Sequence, residues 1–96
     1  MNDRMNERIG ADGFELRANG TIWREQDDRV VVLDLETSVY LTVAGPAAVV
    51  WKLLARRTTL DEMIEAVLQE FDVDRETARV DLIEFLDDLS ERKLLQ

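Results

Sequence analysis

The residues of this 96-residue chain whose types and spacing could do chemistry are three adjacent carboxylate pairs, Asp27-Asp28, Asp61-Glu62 and Asp87-Asp88. General acid–base work needs groups whose environments hold their pKa values apart, and a hard-cation site needs several oxygens converging on one point. The chain has no histidine and no cysteine, so the commonest general base, the commonest metal ligand, the thiolate nucleophile and disulfides are all missing. No sequence pattern supplies partners that would organise the acidic pairs. No phosphate-binding glycine loop or nucleophile motif is found either. Asp61-Glu62 sits where a helix is expected to start and has a capping role to fill. The pairs are therefore read as solvated surface, and the expectation is a protein that is not an enzyme and has no catalytic residue, metal or cofactor.

Charge narrows the partners. With 21 acidic against 12 basic side chains the net charge is −9, which disfavours any polyanionic partner. Length bounds the architecture to one domain with a single modest core, too small to enclose a deep substrate cavity as well. No apolar run is long enough to span a membrane, and MNDRMNERIG has no signal-peptide hydrophobic region, so a cytoplasmic protein is expected.

The elements that must position any site follow from the apolar patterning. Residues 1–18 read as a flexible N-terminal tail in which 14–16 could lie extended against the domain; residues 19–96 form the domain. Asn19-Gly20 turns the chain into a first strand around 21–25, and Asp27-Asp28 turns it into VVVLDLETSVYLTV, two β-branched runs at 29–35 and 39–43 joined by Glu36-Thr37-Ser38. Alternation places Val31, Leu33 and Leu35 of the second strand, with Val39, Leu41 and Val43 of the third, toward the core. Trp23 belongs to one face or the other. Pro46 after Gly45 starts a helix over 46–56 that is apolar nearly all round. Thr59-Leu-Asp-Glu62 is a capping box for a helix over 60–71, and Asp74 is an N-cap for a helix over 75–92. On the last helix Ala78, Leu82, Phe85, Leu86 and Leu89 make the core stripe, and Val80 and Ile83 lie on a flank shared with Arg79, Asp87 and Ser90. A three-stranded antiparallel meander followed by three α-helices is an α+β, winged-helix-turn-helix-like fold.

In such a meander the third strand ends the sheet with unpaired backbone groups. A peptide adding as a fourth strand would satisfy them through Val39, Tyr40, Leu41, Thr42 and Val43, and its alternate side chains would meet the third helix at Arg79, Val80, Ile83 and Asp87. Three alternatives stand beside this reading. Val80 and Ile83 could pack on the first helix or the tail, residues 14–16 could cover the edge, or two copies could pair edge to edge. Winged-helix folds also bind DNA through a recognition helix. Between Asp72 and Leu95, however, eight acidic side chains face four basic ones, which repels a duplex.

From about Gly20 to Leu95 the chain resembles the PqqD-like leader-peptide-binding domains, also called RiPP recognition elements. The resemblance is carried by VVVLDLETSVYLTVAG, AAVVWKLL, the threonine-led second helix ending in EFDVD, and ARVDLIEFLDDLSERKLL, where Asp81 precedes Leu82, Leu86, Leu89 and Leu94 at the family spacing. Two departures are Val43-Ala44, where many members have Leu-Asn, and Lys93, where many have glycine. The resemblance implies a cytoplasmic, non-catalytic adaptor that binds the leader of a ribosomally made precursor peptide, antiparallel to the third strand and in the cleft against the third helix. It is most similar to the stand-alone lasso-peptide type, whose implied partners are a transglutaminase-like leader peptidase and an asparagine-synthetase-like cyclase. The alternatives are a PqqD-type chaperone for a radical-SAM enzyme and a winged-helix DNA-binding regulator. A monomer or weak dimer is expected, with no nucleic acid or membrane as partner.

Overall fold

A computed structural model of the chain describes residues 13–96. Strands β1 (Thr21–Gln26), β2 (Arg29–Asp34) and β3 (Val39–Ala44) form an antiparallel sheet in the order β1-β2-β3, followed by helices α1 (Pro46–Leu54), α2 (Leu60–Glu70) and α3 (Arg75–Glu91). This is the α+β architecture expected from the patterning, with one helical layer against one face of an open sheet.

The inward face of β2 is the opposite of the expected one. Val30 and Val32 are 1% and 0% exposed, whereas Val31 and Leu33 are half-buried and Leu35 is exposed. The cause is the turn. β2 ends at Asp34, whose Oδ1 accepts from the backbone N–H of Glu36 at 2.9 Å and of Thr37 at 3.4 Å, while the Ser38 N–H donates to the Asp34 carbonyl at 2.8 Å. Ser38 closes the turn in the left-handed region at φ 62. The loop is thereby four residues long, and Asp34 pairs with Val39, Val32 with Leu41 and Val30 with Val43. Directly opposed residues share a face, so the even-numbered residues of β2 join the inward Val39, Leu41 and Val43. The backbone N–H of Glu36, with that of Thr37, holds the Asp34 carboxyl below the usual carboxylate range.

Through Trp23↔Val32 the first tryptophan also falls on the inner face. There its ring meets Trp51 of α1 edge-to-face, with centroids 6.3 Å apart and planes at 82°. Trp51 is fully buried, as are Leu54, Met63 and Leu89 of the same core cluster, against which Trp23 packs. Each helix begins where its cap dictates. Gly45 (φ 61) precedes Pro46; Thr59 and Glu62 form the reciprocal capping box; Asp74 accepts from Thr77 N–H at 3.1 Å. α3 ends in a Schellman turn, in which Leu94 N–H donates to the Leu89 carbonyl and Lys93 N–H to the Ser90 carbonyl, both at 3.0 Å. Buried Leu94 tucks back beside Leu89.

Of the expected tail, residues 1–12 lie outside the described residues. Residues 14–17 are not free. Phe14 and Thr58 exchange backbone hydrogen bonds of 2.6 and 2.8 Å, Leu16 N–H donates to the Leu54 carbonyl and Arg17 N–H to the Leu94 carbonyl, and Gln96 N–H returns to the Glu15 carbonyl. Half-buried Phe14 and Leu16 pack on the core, which is why this stretch is held.

Candidate functional site

Among the described residues, β3 has β2 on one side and no strand on the other. Residues 14–16 do not cover it, because Phe14 bridges Thr58 and Leu16 bridges Leu95. The backbone groups that face the open side follow from the ladder. In an antiparallel strand the N–H and C=O of one residue point to the same side and those of the next residue to the other. Leu35 N–H donates to the Gly20 carbonyl, so the odd-numbered residues of β2 address β1; the even-numbered ones, including Asp34 with its carbonyl bonded to Ser38, address β3. Their partners Val39, Leu41 and Val43 therefore point back at β2. Tyr40 and Thr42 direct their N–H and C=O groups outward. These are the groups a fourth strand would use, and both residues are exposed.

The inner face of β3 is covered only in part: Leu41 and Val43 are half-buried and Val39 is 47% exposed. Where Ala44 and Gly45 carry the chain into α1, an apolar cavity of about 170 Å³ opens between the start of α1 and α3. Its walls are Pro46 and Ala47 of α1, Val67 of α2, Phe71 and Val73 of the connecting loop, and Ala78, Asp81, Leu82 and Phe85 of α3. A volume near ~150 Å³ accommodates a benzene-sized group, so this space matches one aliphatic or aromatic side chain. Among the described residues, Asp81 is the only ionisable one in the wall.

The five expected β3 residues lie on the edge strand, and the four expected α3 residues are not part of the cavity wall. Arg79, Val80 and Asp87 are exposed and Ile83 is half-buried, and none of them lines the cavity. At ~100° per residue, Asp81 and Phe85 each stand about 160° round the helix from Ile83. The apolar pair Phe71 and Val73, in the EFDVD break, and the partial exposure of Phe85 are the features that mark the cavity. Of the acidic pairs, Asp61-Glu62 caps α2 and the other two are exposed. Among the described residues no group of carboxylates is gathered to hold a metal ion, and no helix is long and apolar enough to cross a membrane.

Fold and site together define a small α+β domain: an antiparallel meander whose edge strand is open among the described residues, beside an apolar cavity the size of one side chain. The chain belongs to the PqqD family: the model for coenzyme PQQ synthesis protein D matches residues 29–95. Among solved structures it is similar to TbiB1 in complex with the TbiA(beta) leader peptide, at 30% identity over 85% of this chain and 94% of that one, with a TM-score of 0.77. It shares its fold with lasso peptide synthetase B1 complexed with the leader peptide, at 21% identity over 88% of this chain and 98% of that one, with a TM-score of 0.75. No curated protein matches the chain.

Proposed function

We propose that this chain is a non-catalytic adaptor of lasso-peptide biosynthesis that binds the leader segment of a ribosomally made precursor by strand addition to β3 and presents it to separate modifying enzymes, a leader peptidase and a cyclase. The observation that carries the reading is the free edge at Tyr40 and Thr42, whose four backbone groups face away from β2. A leader running antiparallel to β3 starts beside Ala44, next to the cavity, so an apolar residue near its N-terminal end enters between Pro46 and Phe85. Binding then concentrates a disordered peptide near its enzymes; the adaptor contributes effective concentration and register, not chemistry. The likeness to TbiB1 in its complex with a leader peptide supports leader binding; the lasso branch, over a chaperone for a radical-SAM enzyme, rests on the sequence resemblance from Gly20 to Leu95. The acidic α3, with Asp81, Glu84, Asp87 and Asp88, argues against a DNA-reading helix.

The test is a titration with the synthetic leader of a short precursor encoded beside the gene, in unmodified form and N-methylated at alternate residues. Saturable binding that is lost for one methylation phase and kept for the other supports strand addition. A wild-type chain that binds no leader, and instead shifts duplex DNA in a salt-dependent manner, overturns the reading.

A further inference from the structure

Among the described residues, no element covers the face of the sheet that points away from the helices. By register, Ile22, Leu33 and Tyr40 form one row across the three strands and Arg24, Val31 and Thr42 the next. Ile22 is 62% and Tyr40 69% exposed, the two highest values among the exposed large apolar residues described. The charge on this face is anomalous for a chain of net charge −9. The carboxylates within the strands, Glu25 and Asp34, both fall on the inner face, while Arg24 and Arg29 fall on the outer one. Neither arginine takes part in an ion pair among the described residues.

From this we infer that the outer sheet face is a docking surface for a second protein, one that presents an apolar patch with carboxylates placed to meet Arg24 and Arg29. Charge selects this occupant. A second copy related by a twofold axis would set this basic face against itself, and an anionic bilayer would have to approach a body of net charge −9. The surface is also continuous with the β3 edge. Tyr40 and Thr42 turn their backbones to the edge and their side chains to the outer face, so an added strand extends this face by its own alternate side chains. The inference rests on the strand-addition reading in one respect: the docked protein touches chain and leader together, and the natural candidates are the enzymes that act on the leader.

The experiment immobilises the full chain and measures binding of the purified peptidase and of the purified cyclase encoded beside it, each with and without saturating leader. Ile22→Asp and Arg24→Glu are compared with wild type. Both positions are on β1, remote from the β3 edge, and Ile22 is exposed, so each variant should bind leader within about twofold of wild type; that titration is run first and judges the strand-addition reading separately. The expected result is that at least one enzyme binds wild type more tightly when leader is present and binds each variant at least tenfold more weakly. Enzyme binding unchanged by both variants overturns the inference. So does binding of neither enzyme by a leader-competent wild type, recruitment to phosphatidylserine vesicles through Ile22, or a concentration-dependent mass that Ile22→Asp abolishes, which would assign the face to a membrane or to a second copy.

Discussion

Two proline substitutions one residue apart separate the open edge from the sheet. Leu41 directs its N–H at Val32 of β2, whereas Thr42 directs its own at solvent. Leu41→Pro removes a ladder bond, strands the Val32 carbonyl in a part of the sheet where Val32 is 0% exposed, and disturbs a half-buried side chain. An orphaned buried acceptor alone costs about 1–3 kcal/mol. Thr42→Pro deletes a donor that the unbound fold does not use, at a position where edge strands tolerate proline. Its cost to stability is therefore limited to adjusting φ at one exposed residue.

For the bound leader the order reverses. Thr42→Pro leaves a leader carbonyl without its partner and sets a ring where the added strand must lie, a loss of about 1–3 kcal/mol, or roughly 5- to 150-fold in Kd. Fluorescence anisotropy with a labelled leader reads the affinity and a circular-dichroism melt reads the fold. The reasoning predicts a Thr42→Pro variant that melts close to wild type and binds weakly, beside a Leu41→Pro variant that melts far lower. A Thr42→Pro variant with wild-type affinity refutes strand addition at β3; one that unfolds as readily as Leu41→Pro refutes the assignment of which residues face outward.

Three further outcomes are expected. Phe85→Ala should weaken leader binding about tenfold by removing an apolar wall of the cavity, while Ile83→Ala stays within about threefold; the reverse order in the same titration would move the leader to the flank with Arg79, Val80, Ile83 and Asp87. Lys93→Gly should raise stability by about 0.5–1 kcal/mol, because Lys93 occupies the left-handed position of the Schellman turn at φ 62 and the penalty of about 1–2 kcal/mol there exceeds the entropy glycine adds to the unfolded chain; the melt should shift up by roughly 2–8 °C. Asp34 has a folded pKa depressed by the Glu36 and Thr37 amides, so its contribution is present above the unfolded value of 3.8 and is lost as pH falls through the lower folded value. The stability gap between wild type and Asp34→Asn should accordingly be constant above about pH 5 and close below pH 4 in denaturant titrations, and a gap that widens on acidification would contradict the turn geometry.

Element order was legible because local signals fix it. Thr59 with Glu62, Asp74 and Pro46 each satisfy or forgo a helix-end amide in a way that can be read three residues at a time. The face of β2 was not legible, and the reason is specific. Val30, Val31, Val32 and Leu33 are apolar at both parities, so alternation has nothing to choose between, and Asp34 then pulls the assignment outward, since a carboxylate in a strand ordinarily marks solvent. Here Asp34 is 6% exposed because it is bonded to the turn it creates. One buried turn-capping carboxylate thus sets the loop at four residues, the loop sets the register, and the register decides the rest. It places Tyr40 and Thr42 with their backbones at the open edge and, with Ile22 and Leu33, puts apolar side chains on the uncovered face. The cavity was hidden for a different reason: its walls come from α1, the loop at Phe71 and Val73, and α3, segments whose juxtaposition is tertiary. A periodicity argument sorts residues of one helix into stripes but cannot say which flank the neighbouring elements leave open. Ile83 and Phe85 are both half-buried apolar residues of α3, and only the path of the chain through Gly45 and Pro46 gives Phe85 the cavity.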